Sequence, residues 1–434
     1  MAVLNIWVGQ THAAILAESQ NSFTLTYTLQ WQQSEGFAFS PHLPVNQISS
    51  GAQVKHFFSN LLPEGQILEG LSQAVQVSKY DVFGLLKKIG KDCAGAMVLL
   101  EESEQPSPIH SWSITDYEAV AQSQLEQRIQ DANAQNTPLI FWENTPRMSL
   151  AGVQNKIGIY INNLDQFFLP VKDAPTSHIL KPESADANKH TMMTANEYFC
   201  MQLAEAMGLN VPNTRYLTLP SPIYLIQRYD RNWLPDGQIV RSHQIDGCQA
   251  LNLPPNLKYE QEHAHAPLGA TLADIFDFSR LCNVPAQAQK QLLQWVLFNY
   301  LIGNTDAHAK NISFFVNQSQ WSGDQVTNTH RLQVAPFYDL ICGVIYDYSE
   351  MAQSIGGEFE YALVGKQEWK AFSEQIGIKL PAIQIVAKQM LKTLDQALVK
   401  TASRVRQQTH ASIIHDIQAV ITRHQTYLKE SLLG

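Results

Sequence analysis

Positive charge is in short supply. Thirty Lys and Arg stand against 39 Asp and Glu, a formal net charge of −9. That balance argues against an autonomous nucleic-acid binder, although a local basic face is compatible with it. Charged residues make up only 16% of the chain, and no block of like charge is long enough to suggest a disordered tail. Cysteine is scarce as well. Cys93, Cys200, Cys248, Cys282 and Cys342 are odd in number and far apart, so they read as buried free thiols rather than a disulfide framework or zinc site. Long apolar runs are missing: WVLFNYLIG is about half of what a bilayer crossing needs. The opening MAVLNIWVGQTHAAIL has neither the basic region nor the cleavage pattern of a signal peptide. The expectation is a soluble cytoplasmic protein with no membrane partner.

What is present suits a packed, multidomain protein: 434 residues, 45% of them apolar. Residues 3–9 and 23–29 read as strands. SKYDVFGLLKKIGKDCAGAMVLL contains a helix closed by Gly90 and a strand from Ala96. Residues 1–100 therefore form a small mixed domain, and 101–135 a connector. From 136 the rhythm changes, with strands at 157–161, 166–171 and 177–183. A helix follows, TMMTANEYFCMQLAEAM, with Gly208 at C′. Strands at 214–219 and 222–230 complete this lobe. Residues 231–434 are mainly helical, interrupted by a strand pair at 311–316 and 331–335 around a polar loop, 317–330. The fold class is α+β, a β-rich lobe and a helical lobe meeting in a cleft near residue 230.

Several polar groups are placed where chemistry needs them. SLAGVQNK (149–156) offers a tight turn at Gly152 with Ser149, Gln154 and Lys156 before an apolar strand. Such a loop can cradle phosphates, although no Walker sequence is present; a plain turn is the alternative. Lys181 closes the apolar strand HILK, and Glu197 follows sixteen residues later to orient its amine. QRYDR (227–231) lies where the lobes join, as an adenine slot would. In NTDAHAKN, Asp306 precedes Asn311 by five positions, the protein-kinase spacing of catalytic Asp and metal-binding Asn. APFYDL then supplies a second carboxylate, Asp339. Lys310 could neutralise charge on a transferred phosphoryl group, and His308 reads as a scaffold residue hydrogen-bonding the loop.

These motifs, taken in order, resemble the HipA family, kinase toxins of bacterial type II toxin–antitoxin modules. FFSNLLPEG and LLKKIGKDCAGA match in the amino-terminal domain. SLAGVQNK, SHILKP, NEYFCMQLAEAMGLNVP, QRYDR, DGCQALNLPPNLKYE, LIGNTDAHAKN and VAPFYDL match in sequence beyond it. The resemblance implies a two-lobed protein-kinase-like fold with a small N-terminal α/β subdomain, using ATP and Mg²⁺ to phosphorylate protein Ser/Thr. By motif, Asp306 is catalytic, Asn311 and Asp339 are metal ligands, and Lys181 contacts the ATP phosphates. Val153, Gln154, Asn155 and Lys156 belong to the phosphate-binding loop. Gln227, Arg228 and Tyr229 line the adenine site beside Asp230, and His308 and Lys310 also face the nucleotide. Gln227 stands where a glutamate is common, which leaves adenine recognition to backbone groups. Ser149 matches an autophosphorylated serine, whose modification adds charge that can expel ATP.

The implied target is an aminoacyl-tRNA synthetase, chiefly the glutamate enzyme. The implied partner is a helix-turn-helix antitoxin dimer, HipB, that carries the toxin onto operator DNA as co-repressor. Two other readings remain open at this point: a small-molecule kinase on the same lobes, and a non-enzymatic, ATP-binding co-repressor.

Overall fold

Alternation builds the first sheet. Leu4 and Ile6 on the strand Ala2–Val8, then Phe23, Leu25 and Tyr27 on Ser22–Tyr27, are buried at every second position. The computed structural model describes residues 2–20, 22–107, 114–135, 137–142, 145–146, 152, 154–184, 191–219, 221–234, 238–261, 268–322 and 325–434. Between the two expected strands it places a third, Thr11–Ser19, which sequence reading misses. Its buried residues come in adjacent pairs, so THAAILAES shows no alternation. The antiparallel sheet runs Ser49–Ser50, Ser22–Tyr27, Thr11–Ser19, Ala2–Val8, Met97–Leu100, and the helices Ala52–Ser59 and Val82–Ile89 pack against it.

The second sheet, also antiparallel, runs Thr214–Leu219, Ser221–Gln227, His178–Pro182, Ile157–Ile161, Phe167–Pro170, Tyr117–Val120. Part of the segment read as a connector is thus built into this lobe. Tyr117–Val120 forms its edge, and the helix Gln122–Gln135 sets Leu125, Ile129 and Ala132 against Ile157, Leu180, Ile223 and Leu225. Helix Met193–Ala206 packs against the strands Thr214–Leu219 and Ser221–Gln227 and against the long helix Leu380–Thr409. That is why it is buried on nearly every side rather than amphipathic.

The rest is mainly helical, with Leu272–Ser279, Pro285–Ile302, Lys366–Ile376, Leu380–Thr409 and Ile413–Leu428. The expectation of a polar loop at 317–330 is corrected. Strands Ser313–Ser322 and Gln325–Val334 pair across almost that whole stretch, and His243–Asp246 joins their sheet. Backbone pairing sustains a hairpin without an apolar stripe, so polar composition alone misreads it. The five cysteines are buried and free. Among the described residues, no helix is long and apolar enough to cross a membrane. The architecture is the expected α+β one: a mixed lobe, a mainly helical lobe and a small N-terminal α/β domain.

Buried polar bonds dock that N-terminal domain. Asp92 accepts from Arg231 (2.8 Å), Arg228 (3.2 Å) and the Thr176 hydroxyl (2.6 Å). Gly95 N–H donates to Asp230 (2.8 Å), which Arg228 also binds. Burial opposes the charge on Asp92, but the guanidiniums overcome it and hold the carboxyl well below the usual range. Its stabilising contribution is therefore complete above about pH 4 and lost as pH falls toward the depressed folded value. Asp92→Ala leaves the buried Arg228 and Arg231 to share the one carboxylate of Asp230 and should cost about 3–5 kcal/mol, read as a lowered urea midpoint for the transition that releases the N-terminal domain.

Candidate active site

Strand alternation aims Lys181. On His178–Pro182, Leu180 enters the core beneath helix Gln122–Gln135, whereas Ile179 and Lys181 face a cavity between the lobes. Lys181 Nζ donates to both oxygens of Glu197 (2.8 and 3.1 Å) and to Asp339 Oδ1 (2.5 Å). Glu197 sits in the first turns of helix Met193–Ala206. Glu183 fixes the start of that helix by accepting from the Met193 and Thr194 backbone N–H groups. Asp339 adopts a left-handed backbone (φ 53°), a conformation Asp tolerates better than most residues. Tyr338 ties this turn to the segment between Asp306 and Asn311 by donating to the Lys310 carbonyl (2.7 Å).

One ammonium between two carboxylates sets the electrostatics. Burial disfavours charge on all three groups, yet Lys181 stays protonated because Asp339 and Glu197 hold it so. Asp339, with 30% of its side chain exposed, is kept well below the usual carboxylate range by Lys181 and Lys156 against the pull of burial. Glu197 goes the other way. Burial and the Asp339 charge push it up to about 7 despite Lys181. Burial also brings Lys156 down to about 8.

The loop that carries Asp306 and Asn311 begins where helix Pro285–Ile302 stops at Gly303, which takes φ 66° and ends the helix. Asn304 Oδ1 then accepts the Asp306 N–H (3.0 Å). Asp306 Oδ1 accepts the Tyr259 hydroxyl (2.7 Å), and Asn311 Nδ2 donates to the Asp306 carbonyl (2.7 Å). With 40% of its side chain exposed, Asp306 is open to an acceptor, while enclosure by the cleft walls raises its carboxyl. His308 is buried and neutral, its pKa driven far down by burial. Its ring meets the Tyr259 ring edge-on and lies 3.7 Å from Asp306, beyond a hydrogen bond. The His308 backbone, not its ring, braces the loop, donating to Asp306 O and accepting from Asn311 N–H.

Gln154, Lys156, Lys181, Gln227, Arg228, Tyr229, Asp230, Asp306, His308, Lys310, Asn311 and Asp339 all line one cavity. Ser149 and Val153 lie outside the described residues. Asn155 accepts the Leu139 N–H (2.6 Å) and faces the adjoining cleft. Gly152 takes φ 115°, a backbone conformation that favours glycine, and the Lys156 ammonium lies close beside it. Besides Lys181 and Asp339, three predicted residues have their charges committed within the protein. Arg228 and Asp230 belong to the Asp92 network, and the Lys310 ammonium is held by Asp246 (2.6 Å) and by the Asn60 carbonyl and side-chain oxygens (2.9 Å each). Sequence reading assigned no role to Asn60, Glu64, Asp246, Lys258 or Tyr259, although FFSNLLPEG and DGCQALNLPPNLKYE contain them.

Comparison with known proteins gives a consistent result. The family model described as HipA-like C-terminal domain matches residues 148–402, and that of the HipA N-terminal domain matches 4–100. The serine/threonine-protein kinase toxin HipA of Shewanella oneidensis is 31% identical over 82% of this chain and 79% of its own. The putative kinase Y4mE of Sinorhizobium fredii is 34% identical over 88% and 87%. A solved structure of the Shewanella oneidensis HipA, HipB and operator DNA complex superposes with TM-score 0.78 at 26% identity, covering 99% of this chain and 97% of that one.

The shared ammonium makes a prediction. A carboxyl whose folded pKa is raised lends stability below its ordinary 4.5, and that contribution is lost as pH rises through about 7. Asp339→Asn removes the neighbouring negative charge, so Glu197 should titrate lower than in the wild type by carboxyl ¹³C NMR. A value still near 7 would mean that burial alone sets it.

Proposed function

The chain belongs to the HipA family, and on that footing we propose that it is an ATP-dependent serine/threonine protein kinase serving as the toxin of a toxin–antitoxin module. The observation that carries this reading is convergence: Lys181, the Asp306–Asn311 loop and Asp339 come from three separate segments onto one cavity. The residues fit the nucleotide and its metal. Ile179, Ile226, Tyr229 and Ile341 give apolar walls for a base, with Lys156 beside the open turn at Gly152. Asp339, held ionised, and the Asn311 amide are oxygen donors suited to Mg²⁺. Bound ATP would supply the phosphoryl group, and Mg²⁺ the neutralisation of its oxygens. Lys181 binds phosphate oxygens as a point charge. Asp306, oriented by Tyr259, accepts the proton of the incoming hydroxyl.

A protein acceptor is favoured over a small molecule because a cleft of about 1260 Å³ adjoins Asp306, lined also by Tyr259, Tyr348 and Glu350. The family resemblance supports an aminoacyl-tRNA synthetase, the glutamate enzyme first, as the target, and Ser149 as the site of autophosphorylation. The relative solved with HipB and operator DNA supports a HipB-like antitoxin dimer as partner, with this chain reaching DNA mainly through it. Incubation with Mg²⁺ and ATP, followed by mass spectrometry, tests the reading. Wild type should carry phosphate on Ser149 and transfer it to the synthetase. Asp306→Asn should lose roughly 10²–10⁴-fold in rate. A wild type that transfers to neither protein sinks the proposal.

A further inference from the structure

The N-terminal domain does more than dock. Its turn after Leu61 and Leu62 enters the cavity wall, where Glu64 Oε2 accepts from Lys258 Nζ (2.8 Å). Both side chains are largely buried. Glu64 Oε1 is buried with no hydrogen-bond partner among the described residues, and the Glu64 N–H donates to the Gly152 carbonyl (3.1 Å). Lys258 is placed to transmit this restraint. Its ammonium lies 5.2 Å from the Tyr259 ring centroid, its carbonyl accepts the Ala309 N–H (3.1 Å), and Tyr259 donates to Asp306 (2.7 Å).

We infer that Glu64 is a positioning residue for phosphoryl transfer: the N-terminal domain holds Lys258, and through it Tyr259 and Asp306, in working geometry. This rests on the kinase reading. Released from Glu64, the Lys258 ammonium has another carboxylate on the same cavity wall, Asp306. An ion pair there competes with the Tyr259 hydroxyl for Asp306 and turns the carboxylate from its working orientation. Nucleotide contacts at Lys181 and Asp339 are left intact. The defect therefore belongs in kcat, not in KM for ATP.

The test is steady-state transfer to the protein acceptor by the full chain. Glu64→Gln, which keeps shape but loses charge, should lower kcat roughly 10–100-fold with little change in KM for ATP. Glu64→Asp, keeping the charge on a shorter stem, should recover part of that loss and covers the case in which Glu64→Gln folds poorly. Glu64→Gln combined with Lys258→Met should be no slower than the slower single variant, because the two residues act as one unit. His56→Ala removes a docking bond to the Asn252 carbonyl (2.9 Å) away from the cavity and should leave kcat unchanged. Unchanged kcat in Glu64→Gln, additive losses, or an equal loss in His56→Ala each overturn the inference while the kinase reading stands. No transfer by the wild type removes both.

Discussion

A single ammonium shared by two carboxylates joins the parts of this molecule that must meet. Lys181 comes from a strand, Glu197 from the helix packed against its neighbouring strands, and Asp339 from the turn after the long hairpin. None of these segments positions the others locally. Burial penalises each charge, and the contacts among the three groups offset that cost. The arithmetic is also unbalanced, one positive charge against two negative. Asp339 keeps its charge with help from Lys156, and Glu197 absorbs the strain by titrating near neutrality. The carboxylate facing the cavity is thus the one held ionised.

The same logic recurs where the N-terminal domain meets the lobes. Apolar packing would bring the surfaces together in many registers, whereas Asp92 among three arginines and Lys310 between Asn60 and Asp246 accept one. Buried ion pairs of this kind add little net stability compared with apolar substitutes, but losing one partner is severe. Here they fix alignment at two places that line the cavity: the crossover from Arg228 to Asp230, and the loop from Asp306 to Asn311.

Much of the site was legible because its signals are local. The five-residue step from Asp306 to Asn311 spans one short turn, a lysine ending an apolar strand must face some polar partner, and PFYD marks the second acid. What sequence could not show is long-range pairing. Glu64 meets Lys258 across 194 residues and Asn60 meets Lys310 across 250, with no periodicity linking them. Strand Thr11–Ser19 went unread because its buried residues fall in pairs, and the polar hairpin because backbone bonds leave no mark on composition. The edge strand Tyr117–Val120 was hidden for a related reason, since only Val120 of its four residues is buried.

The two lysines near the catalytic loop show how burial reassigns a role that spacing suggests. Lys310 lies one residue before Asn311, where a cation could serve the transferred group. The short turn Ala309–Asn311 instead sends its ammonium inward to three oxygens. Those three bonds anchor the turn to Asn60 and Asp246. Among the described residues Lys258 is ion-paired with the Glu64 carboxylate alone, and it stands beside the tyrosine that hydrogen-bonds Asp306. Between a saturated cation and a singly paired one on the same wall, the second can respond to charge developing in the cavity. That response passes through Glu64, which places the N-terminal domain in the electrostatics of the site as well as in its architecture.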